Sequence, residues 1–239
     1  GIFVPASEIV IENISEKSST GLFHYLYGPT GSGKTEVFLS VAEKMLEKGK
    51  GVIYLVPEIS LTSQVTQDIV NRFGNTAAII HSGLTPSRKL NEWHRIQNQE
   101  ARVVIGPRSA VFAPVPNLGL IIIDEEHDGS YKSGTTPRYH ARQVAMHRAV
   151  TGHFPLIMGS ATPSVEAWHG MQSGSILRHT LSVRLSGGAM PKIGVINLNN
   201  FKTEGCISAP LETEINRTLK NGKQTILFLN RRGFTHYFT

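Results

Sequence analysis

The sequence predicts an α/β fold: a mostly parallel sheet with helices over both faces. Two observations predict it. Apolar runs of four to six residues alternate with more polar stretches of helical length, and the chemically distinctive segments begin where apolar runs stop. Strands buried on both faces read as continuous apolar runs, and open parallel sheets bind ligands at the carboxyl ends of their strands. A glycine-rich loop between the first such run and the first helical stretch is the third observation.

That first run, Leu22–Tyr27, leads into Gly28-Pro29-Thr30-Gly31-Ser32-Gly33-Lys34-Thr35, with the spacing G-x-x-x-x-G-K-T. A helix-like segment, Glu36–Glu47, follows, which gives the strand–loop–helix context the motif requires. The glycines let backbone N–H groups turn onto phosphate oxygens, and the helix N-terminus adds partial positive charge. Gly28, Thr30, Gly31, Ser32 and Gly33 are thus expected to cradle the phosphates of ATP. Lys34 is expected to reach the β- and γ-phosphates, and the Thr35 hydroxyl to hold Mg²⁺. Composition alone produces such a pattern in about one chain per hundred of this length.

Further strands are expected at Gly51–Val56, Thr76–Ile80, Arg102–Ile105, Leu118–Ile123 and Pro155–Met158, with helices at Leu61–Phe73, Pro86–Asn98 and His140–Val150. The strand at 118–123 ends abruptly in Asp124-Glu125-Glu126-His127. Burying such carboxylates without a cation is costly, and Mg²⁺–ATP supplies one. Asp124 is therefore read as a Mg²⁺ ligand and Glu125 as the base that orients and deprotonates the attacking water.

Bulk properties set limits. The 239 residues are 40% hydrophobic, enough for one large domain or two small ones. No run of 18 apolar residues occurs, so no membrane span is expected. The N-terminus lacks a charged-then-apolar signal pattern, which predicts a cytoplasmic chain, and Gly1 in place of Met predicts a cut piece. Cys206, the single cysteine, excludes an internal disulfide and a cysteine-based zinc site within the chain. The formal net charge of +6 favours polyanionic partners.

His127 narrows the field, because a plain phosphate-transfer kinase has no use for Asp-Glu-x-His. Gly159-Ser160-Ala161-Thr162-Pro163 then follows the strand at 155–158. In this order the segments resemble the motifs of superfamily-two helicases, in which a Ser-Ala-Thr segment links the nucleotide site to movement on DNA; Ser160 and Thr162 match its hydroxyls. Val56-Pro57-Glu58-Ile59-Ser60-Leu61-Thr62 resembles a further motif of that superfamily, and His81-Ser82-Gly83 and Ile105–Pro114 follow in the expected order. His127–Lys132 and Pro137–Arg142 look like the aromatic-rich loop of PriA-type replication-restart helicases, and Ile226–Gly233 like the start of that family's second motor lobe.

The resemblance implies two RecA-like lobes with ATP in the cleft between them, an ATP-driven DNA helicase acting at stalled forks, and single-stranded and forked DNA and other primosome proteins as partners. It implies lobe one at 22–181, a linker with one short strand at 182–208, and a truncated start of lobe two at 209–239, leaving 1–21 unassigned. Such a piece is expected to bind nucleotide with little turnover, since an arginine finger is worth roughly 10³–10⁵ in rate in related phosphoryl-transfer enzymes. The family's zinc ligands are expected outside this chain. Gln143 departs from an acidic residue expected in the aromatic-loop helix, and no upstream glutamine motif for adenine is evident. Arg108 and Ser109 are expected to hold DNA phosphates, with a solvated surface arginine as the alternative for Arg108. Tyr131 and Tyr139 either stack on bases or anchor the loop, while Lys132, Arg138 and Arg142 neutralise phosphates. Two other readings stay open: a nucleotide-gated DNA- or protein-binding module without turnover, and a different branched-DNA or RNA helicase.

Overall fold

The computed structural model describes Glu12 and residues 22–57, 64–185, 192–200 and 207–228. The expected motif residues 58–62 and the second-lobe segment 229–233 lie outside the described residues, as do Cys206 and most of 1–21. The chain divides into two compact units, Gly1–Gly188 and Ala189–Thr239.

The first unit holds seven strands among its described residues: β1 (Phe23–Tyr27), β2 (Gly51–Leu55), β3 (Ala77–Ile79), β4 (Val103–Gly106), β5 (Leu118–Asp124), β6 (Leu156–Ser160) and β7 (Leu177–Thr180). They form one sheet in the order β3-β4-β2-β5-β6-β1-β7, and each neighbouring pair is parallel. Its helices are α1 (Lys34–Glu47), α2 (Gln64–Phe73), α3 (Pro86–Gln97), α4 (Ala141–Gly152) and α5 (Val165–Gln172).

Alternation along the strands builds two cores. Tyr25, Ile53, Leu55, Val104, Ile121, Ile123 and Met158 face one side, packed with Ala141, Ala145 and Ala149 of α4 and Ala167 and Met171 of α5. Leu26, Val52, Tyr54, Ile105, Ile122 and Ile157 face the other, against Val37, Phe38, Val41 and Met45 of α1. Both faces are covered, which is why the strands carry apolar residues at successive positions.

Helix starts follow local chemistry. The Thr85 side chain accepts a hydrogen bond from the Arg88 amide ahead of Pro86, and that of Ser164 from the Ala167 amide. His140 caps α4 by accepting from the Arg142 amide, and burial lowers its pKa, which favours the neutral ring an acceptor needs. The sequence did not signal α5 or β7. The first is only eight residues long, and the second is a polar edge strand, Leu-Arg-His-Thr, bonded on one side.

The second unit contains α6 (Ala209–Lys220) and a 3₁₀ turn at Leu198–Asn200. Strands were expected at Ile193–Leu198 and Thr225–Leu229, but the described residues 192–197 and 223–228 carry none. Ile193, Val195, Ile226 and Phe228 are 82%, 94%, 93% and 86% exposed. A β-rich run becomes a strand only when a partner completes its ladder, and intrinsic propensity does not supply one.

Close approach fixes one glycine of the sheet. A Cβ on Gly106, at the end of β4, would stand 2.5 Å from the Ile80 carbonyl oxygen and 2.7 Å from Ala110 Cβ. Gly106→Ala is expected to destabilise the fold by about 1–3 kcal/mol, read from urea unfolding, since the obstructing groups cannot rotate away.

Candidate active site

Strand order determines what meets at the carboxyl edge. β6 lies between β5 and β1, with Asp124 registered on Gly159 and Tyr27 on Ser160. The glycine-rich loop after Tyr27, the acidic segment from Asp124 and the Ser160–Pro163 turn therefore stand side by side.

The loop reaches α1 through Gly31 and Gly33, at φ 79° and 86°, a region that L side chains rarely adopt. Gly33 is the N-cap of α1 and no side chain caps the helix, so its first N–H groups face the loop without a side-chain acceptor. Thr30, Gly31, Gly33, Lys34 and Thr35 line a cleft of about 440 Å³ together with Val56, Pro57, Asp124, Glu125 and Leu185. Ser32 is buried, and its amide donates to the Pro29 carbonyl at 3.1 Å. Lys34 Nζ donates to the Gly28 and Pro29 carbonyls at 2.8 and 3.2 Å. Burial lowers its pKa, opposed by Glu125 and Asp124.

Asp124 is buried at the cleft floor. One carboxylate oxygen accepts from Tyr54 Oη at 3.2 Å and the other from the Glu125 amide at 2.9 Å. Burial first, then the neighbouring Glu125 charge, pushes its pKa up to about 6. Thr35 and Asp124 thus offer a hydroxyl and a charge-destabilised carboxylate to one space, a donor set suited to a hard divalent cation.

Glu125 has φ 46°, which turns its side chain out of the strand course toward Ser160. Ser160 Oγ donates to Glu125 Oε2 at 3.1 Å. That uses the only hydroxyl hydrogen, so the 2.7 Å contact with His127 has imidazole Nδ1 donating, and the Thr162 amide donates at 3.0 Å. His127, Ser160 and Glu125 form one directed chain of hydrogen bonds.

Glu126 points elsewhere. Its side chain is fully buried and accepts from Tyr25 Oη at 3.1 Å, from the Ser164 amide at 3.2 Å and from Ser164 Oγ at 2.7 Å, and it is paired with Arg142. The third carboxylate of the acidic run is therefore balanced by an arginine and not by a cation in the cleft. Arg142, expected to neutralise DNA phosphates, is 12% exposed and committed to this pair.

For Tyr131 the second of the two expected roles fits the geometry. It is 1% exposed, with its hydroxyl 2.6 Å from the Asp124 carbonyl and 3.1 Å from that of Leu55, and it anchors the loop instead of offering a face to bases. Arg108 does not extend into solvent either. Its Nη1 donates to the Ser130 and Lys132 carbonyls at 3.1 and 2.6 Å, and its guanidinium lies 5.6 Å from the Tyr139 ring centroid. Tyr139 is partly buried and meets Phe112 edge-on at 5.0 Å. Ser109, Lys132, Arg138 and Thr162 remain exposed. Sequence reasoning missed Leu185 in the cleft and the buried role of Glu126. For Glu126, the only available signal was three carboxylates in a row where two suffice.

Two measurements follow from this arrangement. Arg142→Ala leaves Glu126 buried without its counter-charge and is expected to destabilise by about 3–5 kcal/mol in urea unfolding, with Glu126→Gln in the same chain recovering part of the loss. Asp124 has a folded pKa of about 6 against an ordinary value of 3.8, so its ionised form opposes folding above pH 6 and this penalty fades as pH falls from 6 toward 4. Asp124→Asn is therefore expected to raise the melting temperature of the ligand-free protein by about 2–5 °C at pH 8, with the gain shrinking on acidification.

Comparison with known proteins bears on what such an edge belongs to. The profile of the DEAD/DEAH box helicase family matches residues 5–169. The replication restart protein PriA of Treponema pallidum is 55% identical over 90% of this chain and 32% of its own length. The Bacillus subtilis protein of the same name is 44% identical over 89% of this chain and 27% of its own. The chain thus spans between about a quarter and a third of the length of these curated relatives. Among solved structures, RecG bound to a three-way DNA junction superposes with a TM-score of 0.56 at 23% identity, covering 76% of this chain and 24% of RecG. The DUF1998 helicase MrfA gives 0.60 at 18% identity, covering 97% of this chain and 36% of MrfA. At those identities the superpositions speak to the fold alone. With its motifs on one edge of a parallel sheet and the family profile over most of its length, the chain belongs to the DEAD/DEAH box helicase family.

Proposed function

We propose that this chain is the nucleotide-binding motor portion of an ATP-dependent DNA helicase that unwinds DNA at stalled forks to restart replication. The observation that carries the reading is the convergence of Lys34, Thr35, Asp124 and Glu125 on one cleft, with Glu125 joined through Ser160 to His127. The replication-restart assignment draws on 55% identity to the Treponema pallidum PriA protein over 90% of the chain. Single-stranded and forked DNA are the proposed partners, other primosome proteins are candidates by the same likeness, and a cytoplasmic setting accords with that work.

The roles follow from the chemistry. Loop amides and the α1 N-terminus accept the phosphates. Lys34 leaves the Gly28 and Pro29 carbonyls for phosphate oxygens, an exchange that suits a buried ammonium poorly satisfied by neutral acceptors. Thr35 and Asp124 would hold Mg²⁺, which would neutralise developing phosphate charge. Glu125 orients water and takes its proton, and the Ser160 hydroxyl sets the direction of that carboxylate. His127 ties the same serine to the acidic segment, so a displacement of the Ser160–Pro163 turn reaches the base through one hydrogen bond. On the DNA side, exposed Ser109, Lys132 and Arg138 are the proposed phosphate contacts, with Tyr139 as the partly exposed ring able to meet a base.

The test is ATP hydrolysis by the full-length protein with and without forked DNA. DNA-stimulated turnover is expected, and Glu125→Gln should lower kcat by about 10²–10⁴ while nucleotide affinity changes by less than about threefold. Tight nucleotide binding with no turnover under any DNA condition would instead favour a nucleotide-gated binding module.

A further inference from the structure

The segment Leu181–Leu185 leaves β7 and crosses the glycine-rich loop. The Leu181 amide donates to the Tyr27 carbonyl at 2.8 Å, Arg184 Nε to the Thr30 carbonyl at 3.0 Å, and the Leu185 amide to the Gly31 carbonyl at 2.9 Å. The approach is close. A Cβ on Gly28 would lie 2.6 Å from the Leu181 carbonyl oxygen, and one on Gly33 would lie 2.8 Å from Leu185 Cδ1. Leu181 is buried in the core beside α1, which fixes one end of the segment, and the Leu185 side chain lines the cleft shared by Lys34, Thr35 and Asp124.

A trans peptide holds its C=O and N–H on opposite sides. Binding the Thr30 carbonyl to Arg184 therefore turns the Gly31 amide away from the segment. Binding the Gly31 carbonyl to Leu185 fixes the next peptide, whose Ser32 amide closes on Pro29 at 3.1 Å. A glycine-rich loop has more conformational freedom to lose on ordering than any other, so fastening it before a ligand arrives lowers the cost of binding.

We propose that Arg184 and Leu185 are positioning residues of the phosphate loop: the segment after β7 is a brace that presets the loop's peptide planes for a phosphate ligand. The proposal rests on the reading of this loop as the nucleotide site. It concerns the phosphates and not the nucleoside, and that difference makes it testable.

The probes are ADP and inorganic pyrophosphate, titrated calorimetrically into the intact protein and its Arg184→Ala, Leu185→Ala and Arg184→Lys variants, with melting temperatures alongside. Arg184→Ala and Leu185→Ala should each weaken both probes by about three- to tenfold, the scale of one lost hydrogen bond or a small apolar contact. The loss should be equal for the two probes and melting temperatures unchanged, and Arg184→Lys should restore most of the affinity, because an ammonium also reaches a carbonyl. A loss confined to ADP would overturn the brace, since the segment would then be touching the nucleoside. Unchanged or tighter binding of both probes would overturn it as well. If the parent protein binds neither probe, the nucleotide-site reading itself fails, which is distinct from a parent that binds and variants that bind equally.

Discussion

The buried pair of Glu126 and Arg142 is the interaction on which the rest of the edge depends. A fully buried carboxylate is tolerated only when its charge and lone pairs are answered, and Glu126 draws those answers from three separate elements. Tyr25 comes from β1, Arg142 from the first turn of α4, and Ser164 is the cap of α5. Each donor fixes the end of the element that carries it. The strand before the glycine-rich loop, the helix after the aromatic loop and the turn after Ser160 thus share one acceptor. The pair earns little as an isolated ion pair, and its value lies in specifying how those pieces meet.

The proposed nucleotide cleft is organised on the opposite principle. Its groups are left wanting partners. Asp124 carries a charge that burial and Glu125 both disfavour, Lys34 makes do with two neutral carbonyls, and α1 begins without a side-chain cap. Glu125 adds a left-handed backbone at a residue that is not glycine. In a ligand-free protein these are costs. A phosphate ligand with its cation would remove them together, which is what preorganisation of the cleft would mean physically. The satisfied cluster around Glu126 lies next along the chain to the unsatisfied cleft, and its rigidity holds the strained groups in place.

How much of this was legible in the sequence follows from where information is local. Glycines at fixed offsets, a carboxylate run after an apolar strand and a Ser-Ala-Thr turn are local patterns, and they located the cleft and the edge. The parallel sheet followed from runs such as Leu120–Ile123, whose continuous apolar character demands cover on both faces. What stayed hidden was long-range. Nothing near Tyr131 in the sequence announces that its hydroxyl will meet carbonyls at Leu55 and Asp124, and nothing near Arg142 announces Glu126. Basic and aromatic residues in a loop suggest a nucleic-acid contact by composition alone, while burial decides whether they are free to make one. Leu185 was illegible for the same reason, because its importance lies in a backbone bond to Gly31 and a side-chain approach to Gly33 across the fold. The expected strand at 193–198 failed because pairing, not propensity, makes a strand.

The registers Tyr27 with Ser160 and Asp124 with Gly159 carry one more consequence. Three motifs hang from adjacent rungs of one ladder, so their spacing is set by the interstrand repeat of about 4.8 Å and not by loop length. Insertions are therefore tolerable in the connections that carry no motif but not within β1, β5 or β6. A single extra residue there would flip every later side chain to the other face and carry its motif out of line. Loops away from the motifs are free to lengthen and surfaces to change, but these three strands must keep their residue count.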